Sequence, residues 1–156
     1  MRIDDMAGYD SLVQQFEAGT IPPSEWTHHA HLAVGAWHVN RYGKAEALDR
    51  LRAGIQRLNE KHGTPNSLTR GYHETITRAY VELLVQSLQH CHPELPFQER
   101  VNYLLASSLA RKNVLFRFYS REVLFSPRAK TEWVEPDIAP LELDPGFLKE
   151  VNLTSQ

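Results

Sequence analysis

Glycine and proline residues divide this sequence into segments whose apolar residues repeat with a period near 3.6, and this pattern constrains the fold most. The breaks fall at Gly19, Gly43, Gly63 and Pro93. Between them the spacing predicts helices rather than strands, and 156 residues are enough to bury one core. We therefore expect an all-α protein whose residues 1–156 form a single domain.

The helical period and its breaks predict a bundle of about five main helices. We expect them over residues 10–18, 27–42 (or from Ser24), 45–62, 72–90 and 97–110. Ser126 followed by Pro127 is typical of a helix start and predicts a short late helix that ends near Trp133. Prolines in residues 136–156 predict an irregular tail packed on the bundle. Over residues 114–125 strand-like composition meets helical neighbours, and we expect a short helix or an irregular packed segment there; the conformation of residues 111–125 stays open.

The overall composition limits the classes of partner. Hydrophobic residues make up 42% of the chain, charged residues 23%, and the formal net charge is −2. This weak charge indicates neither a nucleic acid nor a membrane as partner, and no apolar stretch is long enough to cross a bilayer. With Cys91 as the single cysteine and an N-terminus unlike a signal peptide, we expect a cytoplasmic protein; the oligomeric state is left open.

Histidines are concentrated on one segment that carries no formal charge, residues 26–38. On a helix His28 and His31 share a face, whereas His38 lies about 10 Å farther along the axis. His73 opens another predicted helix, on its core-facing line. We interpret His28, His31 and His73 as a converging set of nitrogen ligands for a divalent transition metal (Zn, Fe, Ni, Cu or Mn).

Two carboxylates and a tyrosine accompany these histidines. Glu25 precedes the first pair by one turn and Glu74 follows His73, so either is a candidate fourth ligand or general base. Tyr72 is a candidate catalytic or substrate-orienting residue. A three-histidine site with an open position predicts a small metal-dependent enzyme, of either hydrolytic or oxidative chemistry. Glu74 also lies four residues before Arg78, the spacing of a surface ion pair.

A basic segment between residues 111 and 130 is interleaved with aromatic residues. Arginine side chains bind carboxylates and phosphates well. We therefore expect Arg117, Tyr119 and Arg121, with His38, to bind a polar or anionic small molecule. The alternative is that this segment pairs with the acidic residues of the tail.

Two other functions compete with the metal-dependent enzyme. In the first, the same site holds a metal or a small ligand without catalysis. In the second, the histidines form a buried polar network in a purely structural domain. No stereotyped metal motif such as His-Glu-x-x-His decides between these functions.

The residues Trp26-Thr27-His28-His29-Ala30-His31 and Tyr72-His73-Glu74-Thr75 carry a resemblance. With the later segments 119–126 and 133–137, they are similar to a group of small bacterial helical proteins that share an aromatic-x-His-x-x-His and a Tyr-His-Glu-Thr pattern. The resemblance covers residues 15–141. It supports the choice of His28, His31 and His73 and implies no particular reaction. DinB-like proteins are similar only in general layout, because their histidine spacing is not matched.

Overall fold

A computed structural model of the protein describes residues 6–91 and 94–143. The α-helices of this part are α1 (Met6–Ala18), α2 (His28–Tyr42), α3 (Lys44–Lys61), α4 (Glu74–His90), α5 (Phe97–Ala106), α6 (Arg121–Leu124) and α7 (Pro127–Thr131). Short 3-10 turns join some of them, and the described residues contain no strand, so the all-α prediction is confirmed. Within these ranges, no helix combines the length and apolar character needed to span a membrane.

Helix α2 is the central element, since it packs against α1, α3, α4 and α5. Its buried face is rich in small residues, among them Ala30, Ala33 and Ala36. Small side chains allow neighbouring helices to approach closely. A Cβ at Gly35 would lie 2.7 Å from Cδ1 of Leu84 on α4. The central position agrees with the low charge of this segment.

Two apolar clusters lie on different sides of α2. The larger joins α1, α2, α4 and α5 to the late segment and includes Tyr9, Leu104 and Tyr119. The smaller is built around Phe16 and Leu58 and joins α1, α2, α3 and α4. Both clusters use α2 and α4, so the interface of these two helices organises the whole core.

The ends of the helices follow from local hydrogen bonds. Helix α2 begins at His28 because the Thr27 side chain accepts from the Ala30 N–H at 3.2 Å. Gly43 alone separates α2 from α3, with φ at +80°, a conformation that favours glycine.

Helix α5 ends at Ala106 rather than at residue 110. The Ser107 hydroxyl donates to the Leu104 carbonyl (2.6 Å) and accepts from the Leu109 N–H (3.2 Å). The side chain thereby replaces the backbone partners that would continue the helix, and a 3-10 turn, Ser108–Ala110, follows.

The segment that the sequence left open folds into short helical turns. A 3-10 turn spans Val114–Arg117, and α6 follows it. Ser126 caps α7 by accepting from the Ala129 N–H at 3.2 Å, as the Ser-Pro pair predicts, although α7 ends at Thr131 instead of near Trp133.

The tail lies on the bundle through residue 143. The Thr75 hydroxyl donates to the Glu132 carbonyl (2.7 Å) and accepts from the Val134 N–H (3.1 Å). Farther along, the Gln86 amide donates to the Leu141 carbonyl at 2.7 Å. The tail predicted over residues 136–156 is thus placed as far as residue 143, and its remainder lies outside the described residues.

We predict that Gly54→Ala destabilises the protein. A helical Gly→Ala change normally stabilises by about 0.5–1 kcal/mol. Here the new Cβ would lie 2.2 Å from Cζ of the buried Phe16. We expect a loss of about 1–3 kcal/mol in the free energy of unfolding, measured with urea. Combining the change with Phe16→Leu should recover part of that loss; strict additivity of the two changes would contradict the clash.

Candidate functional site

A cavity of about 370 Å³ lies between α2, α3 and α4. Most of its wall is apolar or aromatic. The apolar residues are Leu32, Leu51, Ile55, Ile76, Val81 and Leu84. No Lys, Arg, Asp or Glu side chain is part of this wall within the described residues. The cavity is therefore a largely apolar space with little formal charge. In such a space, a hydrogen bond from one of the few polar groups contributes strongly to the binding of a ligand.

The wall brings together residues that are distant in sequence. His28 and His31 reach the cavity from α2, while Tyr72 and His73 reach it from the turn that precedes α4. The sequence-based expectation that these imidazoles border one space agrees with this arrangement. Their role as metal ligands stays a prediction.

His73 is the N-cap of α4. Its Nδ1 accepts from the Ile76 N–H at 3.1 Å, and its Nε2 donates to the Leu124 carbonyl at 2.8 Å. Burial lowers the pKa of this imidazole, which fixes it in the neutral form that both bonds require. Both ring nitrogens are engaged, so His73 offers no lone pair to a metal in this arrangement. Among the described residues, no three His, Cys, Asp or Glu side chains are grouped to hold a metal ion.

His28 has one ring nitrogen with a partner and one without. Burial lowers the pKa of His28, and a hydrogen bond to the Leu109 backbone opposes that shift. Its Nε2 is buried and has no hydrogen-bond partner in the described part of the chain. Because the contact with Leu109 favours the protonated form, it ends on the carbonyl of that residue. The unpartnered Nε2 leaves one polar atom of the ring unsatisfied inside the fold.

His31 combines a position deep in the fold with an accessible surface. It packs at 4.0 Å, ring centroid to ring centroid, perpendicular to Trp26. Burial lowers its pKa to about 4, with a smaller contribution from His28, yet the residue as a whole is exposed. The two observations agree because His31 lines the cavity, so its accessible surface borders that space. At neutral pH the ring is uncharged and offers one donor and one acceptor.

Tyr80 is a wall residue that the sequence-based predictions did not name as part of a site. It packs edge-on against His28 with ring centroids 5.5 Å apart. Burial raises the pKa of its hydroxyl to about 12, and this hydroxyl has no hydrogen-bond partner among the described residues. Its position seven residues after His73, on the same face of α4, was the available signal.

Glu74 lies outside this cavity and is bound by Arg52. The guanidinium donates from Nε to Oε1 (2.9 Å) and from Nη2 to Oε2 (2.6 Å), while the Tyr72 hydroxyl donates to Oε1 at 2.6 Å. These bonds, Arg52 first, lower the pKa of Glu74. The expected pair with Arg78 is replaced, and the Arg78 guanidinium instead lies 4.8 Å from the centroid of the Trp133 ring.

Two other predicted site residues lie away from the cavity wall. Glu25 is exposed in a short 3-10 turn before α2. His38 is only 1% exposed; its Nδ1 lies 2.8 Å from the Val34 carbonyl, and its ring packs against Phe16. Its position is that of a core histidine with a backbone partner, so the structure does not support its expected role in substrate binding.

The predicted anion-binding residues of the late segment are also outside the cavity. Arg117 and Arg121 are exposed, and the guanidinium of Arg121 stacks 5.0 Å from the ring centroid of Phe116. Tyr119 is fully buried and donates to the Val134 carbonyl at 2.7 Å, and burial raises its pKa. Tyr119 therefore anchors the tail, and the three residues do not meet the histidines.

Acid should destabilise the protein through its neutral histidines. The pKa of His31 falls from an ordinary value near 6.5 in the unfolded chain to about 4 in the fold, so between these values the unfolded chain binds more protons. The free energy of unfolding should therefore decrease as the pH falls from 7 to 4.5. In His31→Gln the decrease should be smaller, as measured by urea unfolding across this range. An unchanged slope would contradict the desolvation of His31.

The cap formed by His73 predicts a stability cost when the imidazole is removed. His73→Ala should lower the free energy of unfolding by about 1–3 kcal/mol, because the cap and the bond to Leu124 are both lost. His73→Asn should recover the part due to the cap, since asparagine is a strong N-cap residue. Chemical unfolding of both variants measures the difference; equal losses would show that the cap contributes nothing.

Comparisons of the chain with protein-family models, with curated proteins and with solved structures found no match. The resemblance carried by the histidine and Tyr-His-Glu-Thr patterns therefore remains an expectation. The cavity between α2, α3 and α4 is the feature from which a function can be argued.

Proposed function

We propose that the protein binds a small, uncharged and largely apolar organic molecule in the cavity between α2, α3 and α4. The observation that carries this proposal is a cavity whose wall is mostly apolar and includes a few polar side chains, among them His28, whose buried Nε2 has no partner within the described residues. In this proposal His31, His28 and Tyr80 supply the polar contacts and orient the ligand.

The size and lining of the cavity support a small organic ligand. Its volume of about 370 Å³ is within the range of about 300–1,000 Å³ found for small-molecule sites. Such sites combine an apolar wall with a few polar groups that fix the orientation of the ligand. Aromatic side chains, Trp26, Tyr72 and Tyr80, would provide flat surfaces against a ring.

The charge of the wall supports an uncharged ligand. An ion transferred into an apolar space without an opposite charge loses its hydration at high cost. Among the described residues, no side chain of the wall is formally charged, and its imidazoles have lowered pKa values. The arginines of the late segment, which suggested an anionic substrate, lie elsewhere. A neutral hydroxyl, carbonyl or amide is the better partner for this site.

The hydrogen-bonding groups support a ligand with one polar end. Nε2 of His28 is buried without a partner among the described residues, at a cost of about 1–3 kcal/mol, and a ligand hydroxyl would offset this cost if the ring turned toward the cavity. The His31 ring adds a donor and an acceptor, and the Tyr80 hydroxyl adds another. These groups lie on one wall formed by α2 and α4.

The metal-dependent enzyme predicted from the sequence is the less supported function. His28 and His31 have lowered pKa values, which favours the neutral form that metal ligation requires, but His73 would have to give up its cap to join them through Nδ1. Neither Glu25 nor Glu74 lines the cavity. Metal binding and catalysis both remain predictions, and the experiment below includes a metal.

Paired probes test the proposed site. Toluene and p-cresol have similar shapes, but only p-cresol carries a hydroxyl. We expect both to shift amide NMR signals of α2 and α4 saturably, with tighter binding of p-cresol. Tyr80→Phe and His31→Phe should each reduce the p-cresol affinity about two- to tenfold and leave the toluene affinity unchanged.

His90→Phe provides the matched control, because His90 is exposed at the end of α4 and does not line the cavity. This variant should bind both probes as the wild type does. Absence of saturable shifts for either probe would contradict the proposal. A rise in the melting temperature at one zinc ion per chain, abolished by His73→Asn, would favour the metal centre instead.

A further inference from the structure

A second cavity, of about 330 Å³, lies on the other side of Tyr72. Its wall is polar, in contrast to the first. It is lined by Arg52, Gln56, Asn66, Tyr72, Glu74 and Lys130, with Thr131 at one edge. Tyr72 is the only residue that the described linings of the two cavities have in common. A small, uncharged and largely apolar molecule, as proposed for the first cavity, does not suit this polar one.

Lys130 is the unusual member of this wall. It is 8% exposed, although it carries an ammonium group. Its Nζ donates to Oδ1 of Asn66 and to the Tyr72 carbonyl, both at 2.7 Å. No carboxylate of the described residues lies within ion-pair distance of Nζ. A buried cation held only by neutral oxygens lacks the opposite charge that normally offsets its desolvation.

The other two charges of the wall cancel each other. Arg52 binds both carboxylate oxygens of Glu74, and Tyr72 donates a further hydrogen bond to one of them. Asp49 occupies another donor of the same guanidinium at 2.9 Å. Glu74 is therefore already satisfied by these donors. The uncompensated charge facing the second cavity is the single positive charge of Lys130.

The polar groups around Lys130 are donors suited to an oxyanion. An ammonium group has three N–H donors, and two of them are used by Asn66 and Tyr72. Because Oδ1 of Asn66 faces Nζ, its amide nitrogen is the other end of that side chain and can donate. Asn66 is held close by Gly71, where φ is +94° and a Cβ would lie 2.9 Å from the Asn66 Cα. The Gln56 amide adds a further donor.

We propose that the second cavity binds the carboxylate group of a small organic acid, with Lys130 as its counter-ion and the amides of Asn66 and Gln56 as additional donors. Among the described lining residues, Lys130 is the charged side chain without an oppositely charged partner, and one positive charge matches a monoanion. The site is distinct from the neutral-ligand cavity and does not depend on the function proposed for it.

Sodium acetate is the probe for this site. Exchanging it for sodium chloride at constant ionic strength should produce saturable shifts of the Tyr72 and Lys130 amide NMR signals. Lys130→Met should weaken acetate binding at least tenfold. Arg128→Met is the matched control, since Arg128 is exposed on the same helix and does not line the cavity; it should bind acetate as the wild type does.

Asn66→Asp tests the same site without removing the lysine. It places a carboxylate 2.7 Å from Nζ, where the acetate charge would otherwise act. We expect this variant to unfold at a higher temperature and to lose acetate binding. Acetate shifts that do not saturate, or that persist unchanged in both Lys130→Met and Asn66→Asp, would overturn the proposal. These outcomes leave the p-cresol experiment unaffected, so the two sites fail or succeed separately.

Discussion

The desolvation of imidazoles on α2 is the constraint on which the rest of the structure depends. This helix packs against four others, so its histidines cannot all reach bulk water. Three of its four histidines meet this cost in different ways. His38 uses the Val34 carbonyl, His28 uses the Leu109 backbone for one nitrogen, and His31 keeps an accessible surface on the cavity. The cavity thus gives one imidazole of α2 an accessible surface. This is one reason why a helix of low charge that carries several imidazoles can lie at the centre of the bundle.

The turn before α4 is the second organising element, because it separates two cavities of opposite character. Tyr72 forms part of both walls, while Glu74 directs its carboxylate away from the histidines and toward Arg52. His73 holds the turn by bonding α4 at one ring nitrogen and α6 at the other. Three consecutive residues therefore have different roles: Tyr72 lines both cavities, His73 links α4 to α6, and Glu74 lines the polar cavity.

The fold class and the main helices were predictable from the spacing of apolar residues and from glycine and proline. The exact ends were less so: Ser107 stops α5 through side-chain bonds that no periodicity reveals. That His28, His31 and His73 would border one space followed from the helical spacing of the first two and from the position of His73 on the core-facing line of its helix. The hydrogen bonds of both His73 ring nitrogens could not be predicted in this way. One partner, Leu124, is 51 residues away, and its carbonyl is a backbone group of the kind present at every position. Lys130 belongs to the basic segment between residues 111 and 130, and its burial was equally unpredictable, because one acceptor of its ammonium group is the backbone carbonyl of Tyr72, 58 residues away.

The hydrogen bonds that complete the start of α4 have a consequence for the order of folding. They join His73 to Leu124, Thr75 to Glu132 and Lys130 to both Tyr72 and Asn66, over separations of 51 to 64 residues. Closing such long loops carries an entropic cost that local helix formation does not. The cap of α4 is local and can form with the helix, whereas these partners lie later in the chain. The long-range bonds can form only after the late segment has been made and has folded back across the bundle.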